Sequence, residues 1–413
     1  MHGRLNTVRV GVVVAAFLGG CRPQPVADAP PVPGVLPGVE VLVLDSLALV
    51  EGRRVGLVTN MAAVDRFGTG DVELLRQHGV NLVALFSPEH GFRAAAAPGE
   101  AVATSVDSAT GLPIYSLYGR TVAPTPEMLE GVEVLLVDLP DVGARYYTYL
   151  STTVEVMRAA GRAGIPVVVL DRPNPIGGAV QGNVLDTAHR SFVGMLAVPM
   201  RHGLTRAEQA RLAREELGIG VDLRVVPASH WTRSQNLDDA GLPFRPPSPN
   251  LKDLESLFHY PGTCLFEGTA LSVGRGTAAP FRQLGAPWLD TARVIARLRA
   301  AGLPGVRFVS DTFTPVDPGD QKHAGTLLAG IRLVMTAPAR YDPVLTAVTL
   351  LAILQAVHPD RLGLVPRQFD RLAGGPGLRE AILAGVPPRR IVEDWQPAIA
   401  EFQRRAAPLL LYP

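Results

Sequence analysis

From Arg54 onward, short unbroken apolar runs alternate with segments of helical periodicity. "RVGLVTN" runs to Asn60, "DVELLRQHG" patterns as helix, and "VNLVALF" is the next strand. "LPIYSLYG" reads as a further short strand, "GVEVLLVDLPD" as one ending in Asp138 and Asp141, and "IPVVVLDRPNP" as one ending at Asp171. A strong helical pattern, "RYYTYLSTTVEVMRAAGRAG", lies between the last two, from about Arg145 to Gly164. "TRAEQARLAREELG" is a helix opened by Thr205 with Glu208 three residues on, a capping box, and "VDLRVVP" closes the series. Continuous Val/Leu runs separated by helices predict a parallel sheet covered on both faces. The fold class is α/β, a Rossmann-like parallel sheet with helices on both faces.

Pro-dense "LPFRPPSPNLKDLE" (Leu242 to Glu255) marks the passage to a second region. There, helices near 289–301, 342–358 and 393–405 flank the strands "VRFVS" and "GIRLVMT", a smaller C-terminal α/β domain. The expected division is 39–245 for the Rossmann-like domain and 246–413 for the second, which completes a cleft.

Polar residues gather where the strands stop: Asn60, Glu89-His90, Asp138 with Asp141, and Asp171-Arg172-Asn174. In an open α/β sheet, the carboxyl ends of the strands line the ligand crevice. "LFSPEHGFRA" is the sharpest case, a carboxylate and an imidazole fenced by Pro88 and Gly91 directly after an apolar run. No GxGxxG follows any strand, which argues against a dinucleotide site.

The chain has 413 residues, 47% hydrophobic and 19% charged, with a formal net charge of +1. Near-neutrality argues against nucleic acid or an anionic membrane surface as the main partner. Two cysteines cannot build a zinc framework. No metal and no cofactor are expected. The start reads as an export signal over 1–20: Arg4 and Arg9, apolar Val10 to Leu18, then small residues before Cys21. "FLGGC" resembles a lipobox, which makes Cys21 the expected lipidation site, the only contact with a membrane, and leaves Cys264 as the one free thiol. Pro-rich 21–38 reads as a tether. The location expected is outside the cytoplasm, lipid-anchored to a bacterial membrane; oligomeric state is left open.

A second acid, Glu267, sits in "YPGTCLFEGTALSVGRGTAAPF", followed by Arg275 between glycines. An arginine so placed suits clamping a carboxylate or phosphate. Two acids from separate segments, without metal-ligand spacing, fit acid/base or acid/nucleophile chemistry on a glycoside. Each has a plain structural alternative: an ion pair of Glu89 with Arg93, and of Glu267 with Arg275. Asp138 and Asp171 suit turn capping, and Tyr146 and Tyr147, at the expected helix start, suit core packing. No G-x-S-x-G elbow is present and Cys264 has no base beside it in sequence, which weakens an amidase or esterase reading.

"GLVTN", "LFSPEHGFR", "GLPIYSLYG", "DVGARYYTYLST", "LDRPNPIGG", "PMRHGLT", "PPSPNL", "YPGTCLFEGT", "SVGRGT" and "GAPWLD", in this order, resemble the exo-β-N-acetylmuramidase family of peptidoglycan-recycling enzymes, once a domain of unknown function. The likeness runs from about Val55 to "LLLYP". It implies removal of terminal N-acetylmuramic acid from the non-reducing end of peptidoglycan-derived sugars, in a cleft between a Rossmann-like and a smaller domain. It further implies Glu89 as the catalytic acid and Glu267 as the second carboxylate. Arg275 or Arg145 would meet the lactyl carboxylate, and Asn60, His90, Asp141, Tyr146, Asn174, His202 and Asn250 would line the pocket. Two positions depart from the family pattern: Ala94 stands where Gly is usual, and Pro140 where Gln is frequent. The alternative is a non-catalytic sugar-binding lipoprotein that keeps the cleft.

Overall fold

Strands β1 (Val55–Thr59), β2 (Leu82–Ser87), β3 (Ser105–Val106), β4 (Pro113–Ser116), β5 (Val134–Asp138) and β6 (Val167–Leu170) account for the first apolar runs in a computed structural model. It describes residues 2–3 and 34–413; the rest of the expected export signal, Cys21 and the expected tether as far as residue 33 lie outside the described residues. After an outlying ribbon of β7 (Gln181–Val184) and β8 (Pro199–Arg201), β9 (Leu223–Val226) completes a seven-stranded sheet in the order β3-β4-β2-β1-β5-β6-β9. From β4 to β9 every neighbouring pair is parallel, with Leu57 of β1 opposite Leu85 on one side and Leu136 on the other. The expected parallel sheet gains one antiparallel edge, the two-residue, exposed β3.

Every residue of β1, β5 and β6 is buried, which is why these strands show no polar alternation. Their side chains divide between two apolar layers. Val134, Leu136 and Val168 pack with Val39 and Leu42 of α1 (Gly38–Asp45) and with Leu74 and Leu75 of α2 (Asp71–Gln77). Leu135, Val137 and Val169 pack with Leu150, Val154 and Met157 of α3 (Tyr149–Ala163) and with Ala210 of α4 (Arg206–Glu216). The last residues of the expected tether belong to the fold: Leu36 bridges to Ser229, and the Gly38 amide donates to the Asp171 carbonyl at 2.7 Å. A Cβ on Gly38 would lie 2.4 Å from the Asp171 nitrogen, so only glycine admits this approach.

Helix α3 begins four residues later than its pattern suggests. Arg145, Tyr146 and Tyr147 form the turn before it, because the Arg145 amide donates to the Met200 carbonyl at 2.9 Å instead of entering a helical ladder. Gly164, left-handed at φ 69°, ends the helix as expected. The Thr205–Glu208 capping box opens α4.

The second region holds an antiparallel sheet of β10 (Gln283–Ala286), β11 (Val306–Phe313) and β12 (Leu328–Met335), ordered β10-β12-β11. Helix α6 (Thr291–Ala301) packs on this sheet and α7 (Pro343–Val357) packs on α6 and on α5 (Leu254–Thr263); α8 (Pro366–Ala373), α9 (Gly377–Leu383), α10 (Pro388–Asp394) and α11 (Gln396–Ala406) follow. One apolar cluster runs from β5 through Phe266 and Phe281 into α7. The chain end returns to the first sheet, where the Tyr412 hydroxyl donates to Asp171 and accepts the Ala228 amide.

Candidate active site

Beyond β2 the chain turns sharply. The Gly91 amide donates to the Pro88 carbonyl at 3.0 Å, and His90 and Gly91 are both left-handed, at φ 71° and 72°. Proline cannot extend the strand's hydrogen bonding, and histidine is among the few side chains that tolerate this backbone region. The turn leaves Glu89 and His90 on the wall of a cleft of about 410 Å³.

Glu89 is mostly buried. One carboxylate oxygen accepts the Gly99 amide at 2.9 Å and the other the Thr148 hydroxyl at 2.7 Å. The Tyr118 phenol faces the same carboxylate; burial and the Glu89 charge push it up to about 12. All these partners are uncharged, and the pair with Arg93 is not formed. The His90 Nδ1–H donates to the Ala96 carbonyl at 2.8 Å, which leaves Nε2 as the acceptor nitrogen. Burial lowers the His90 pKa, against the opposing pull of Glu89.

Across the cleft, Glu267 lies on the single helical turn Cys264–Gly268 that follows α5. Its Oε1 receives both Nε and Nη2 of Arg275 at 2.6 Å. Gly274 and Gly276 flank this arginine in left-handed conformations, and a Cβ on Gly276 would lie 2.2 Å from the Val316 carbonyl oxygen. Burial works against the Arg275 charge, but Glu267 outweighs it and raises the guanidinium pKa. The Cys264 Sγ stands 3.7 Å from Glu267 Oε2, and burial, reinforced by that carboxylate, holds the thiol well above its usual range. The Glu267–Arg275 pair foreseen as a structural alternative is therefore present, inside the cleft.

Tyr146 and Asn250 also line the cleft, the Tyr146 hydroxyl donating to the Pro261 carbonyl. The other positions implied by the family likeness sit outside the lining. The Asn60 amide group donates to the Tyr149 hydroxyl at 2.7 Å, which braces the strand end beneath Glu89. Asn174 donates to the Leu204 carbonyl and accepts the Ile176 amide. Asp141 meets Arg206 at 3.1 Å, His202 at 3.3 Å and the Gln209 amide at 2.6 Å. Burial alone would raise the Asp141 pKa; Arg206 and His202 overcome it and hold the carboxyl well below the usual range. Arg145 cannot clamp a ligand, because its buried guanidinium donates to the carbonyls of Asn183, Val198 and Leu372.

Sequence reasoning passed over Gly99, Tyr118, Thr148, Tyr260 and Arg371, all on the lining. Tyr118 and Thr148 lie within the motifs "LPIYSLYG" and "RYYTYLST", whose polar positions were the available signal. Arg371 lies in "PRQFDRLAGG", outside every motif. Among the described residues, no group of three or more His, Cys, Asp or Glu side chains could hold a metal ion.

Fold and cleft together define an α/β protein with a two-carboxylate, tyrosine-walled pocket at the carboxyl ends of its strands, the donor set of acid–base chemistry on glycosides. The chain belongs to the exo-β-N-acetylmuramidase NamZ family, whose N-terminal region matches residues 55–255 and whose C-terminal region matches 258–412. It is 40% identical, over 92% of both chains, to the peptidoglycan β-N-acetylmuramidase NamZ of Bacillus subtilis (strain 168). Crystal structures of two DUF1343 family proteins from Bacteroides fragilis NCTC 9343 share the fold. One has a TM-score of 0.84 at 32% identity and the other 0.73 at 28%, each covering 92% of this chain and 99% of its own.

Proposed function

We propose that this protein is an exo-acting β-N-acetylmuramidase that releases terminal N-acetylmuramic acid from the non-reducing end of peptidoglycan fragments. The observation that carries the reading is the 40% identity, along 92% of the chain, to a peptidoglycan β-N-acetylmuramidase. The cleft supports it by holding two carboxylates on walls supplied by different segments.

Glu89, surrounded by uncharged donors, is the group proposed to protonate the leaving glycosidic oxygen. Glu267, ion-paired to Arg275, is proposed as the carboxylate that acts as an anion on the opposite side of the sugar. A division at residues 245/246, with the C-terminal domain supplying the Glu267 wall, belongs to the same reading. So does export with a lipid on Cys21, supported by Arg4, Arg9, the apolar run Val10 to Leu18 and "FLGGC". Replacing Cys21 with Ser would release the protein from the membrane fraction if that lipid anchors it.

The direct assay offers the protein a chromogenic β-N-acetylmuramide and the matching glucosaminide. Chromophore released from the muramide and not from the glucosaminide supports the reading. Release from neither, with sugar binding retained in calorimetry, replaces it with the non-catalytic carrier.

A further inference from the structure

The cations around the cleft are unequal. Arg275 spends two of its nitrogens on Glu267. The Lys322 ammonium is held by the Glu267 and Thr269 carbonyls, each at 2.7 Å. Arg145 is enclosed among backbone carbonyls. Arg371, on α8, lines the cleft and is exposed, and its side chain makes no hydrogen bond or ion pair among the described residues. The acid next to it in sequence is already engaged: both oxygens of Asp370 are taken by Arg379, at 2.8 Å each. Helix α8 packs on the turn that carries Glu267, where the Val365 amide donates to the Gly268 carbonyl at 2.8 Å, and the Arg371 charge is felt at the Tyr118 phenol, where it opposes the effect of Glu89.

The support beneath it is rigid. The Arg145 Nη2 donates to the Leu372 carbonyl at 3.1 Å, at the end of the helix that carries Arg371. Gly374 then turns left-handed at φ 78°, and a Cβ there would stand 2.8 Å from the same Nη2.

We infer that Arg371 is the specificity-determining residue that receives the substrate's carboxylate, the lactyl group that distinguishes muramic acid from glucosamine, with Arg145 as the positioning residue for its helix. The inference rests on the muramidase reading for the identity of that carboxylate. A free guanidinium with its forked donors is the group suited to bidentate carboxylate recognition. An arginine already committed to a carboxylate would have to share its charge, and Arg145 would have to abandon buried carbonyls.

Calorimetry with N-acetylmuramic acid, its methyl ester and N-acetylglucosamine tests this directly, alongside muramide kinetics. Wild-type protein is expected to bind the acid about tenfold more tightly than the ester, the scale of a partly exposed charge-assisted contact. Arg371→Ala should bind acid and ester alike and raise KM for the muramide with little change in kcat, at an unchanged melting temperature. Arg371→Lys should recover part of the preference. An undiminished preference in Arg371→Ala, or no preference in the wild type, overturns the assignment. If the wild type turns over no glycoside yet prefers the acid in an Arg371-dependent way, the hydrolase reading fails and the arginine assignment stands.

Discussion

The ends of β2 and β5 occupy equivalent places in the sheet and have opposite fates. Both strands are apolar runs that stop in carboxylates, Glu89 just after β2, and Asp138 as the last residue of β5 with Asp141 just after it. Beyond β5 the acids are sealed: Arg172 takes both oxygens of Asp138, and Arg206, His202 and Gln209 surround Asp141. Beyond β2 the acid is held by an amide and a threonine hydroxyl, with the Tyr118 phenol facing it, and it borders open space. An acid at a strand end is therefore not yet a functional group. What separates the two is whether the fold supplies a buried cation to neutralise it. The second lobe shows an intermediate case, since Glu267 has its cation and still faces the cleft.

The contrast breaks most visibly at Asp141. Asp141→Ala leaves Arg206 buried without its anion and is expected to cost about 3–5 kcal/mol in stability, measured by urea unfolding. The fraction that remains folded should bind sugar as before. A variant of normal stability and altered specificity would put Asp141 in the cleft after all.

A smaller effect sharpens the β2 side. Burial lowers the His90 pKa in the folded protein, so the unfolded chain takes up that proton more readily. The contribution of neutral His90 is complete above about pH 6.5 and is lost as pH falls through the lowered folded value. His90→Asn keeps a donor for the Ala96 carbonyl and tolerates the left-handed backbone, so its unfolding free energy should vary less between pH 7 and pH 5 than that of the wild type. An unchanged pH dependence would show that His90 does not titrate in this way.

The smallest effect concerns Ala94, which stands where the family likeness leads one to expect Gly. Its φ is 54°, a conformation that strains alanine and suits glycine. Ala94→Gly removes strain of about 1 kcal/mol and adds unfolded-state entropy, for a net gain of about 0.5 kcal/mol. A loss of stability would mean that the Ala94 methyl contributes more by packing than its backbone costs.

Much of this architecture could be read in the chain because its causes are local. Unbroken Val/Leu runs specify strands buried on both faces, and Pro88 and Gly91 bracket the turn that presents Glu89. The Thr205–Glu208 box needs only four residues to declare itself. The failures have non-local causes. Arg145 opens a helical pattern, yet its amide is captured by Met200 and its side chain by the carbonyls of Asn183, Val198 and Leu372. Asn60, Asn174 and His202 look like pocket residues until the partners that enclose them are known. Arg371 shows the reverse, an ordinary surface position in its helix that tertiary packing brings to the cleft.

The role of Glu89 as the acid of a muramidase is open to a single substitution, Glu89→Gln. The amide preserves shape but cannot donate a carboxyl proton. Muramide turnover and N-acetylmuramic acid affinity, measured on the same preparation, should show turnover abolished and affinity within about tenfold of wild type. Turnover close to wild type would remove Glu89 from the acid role.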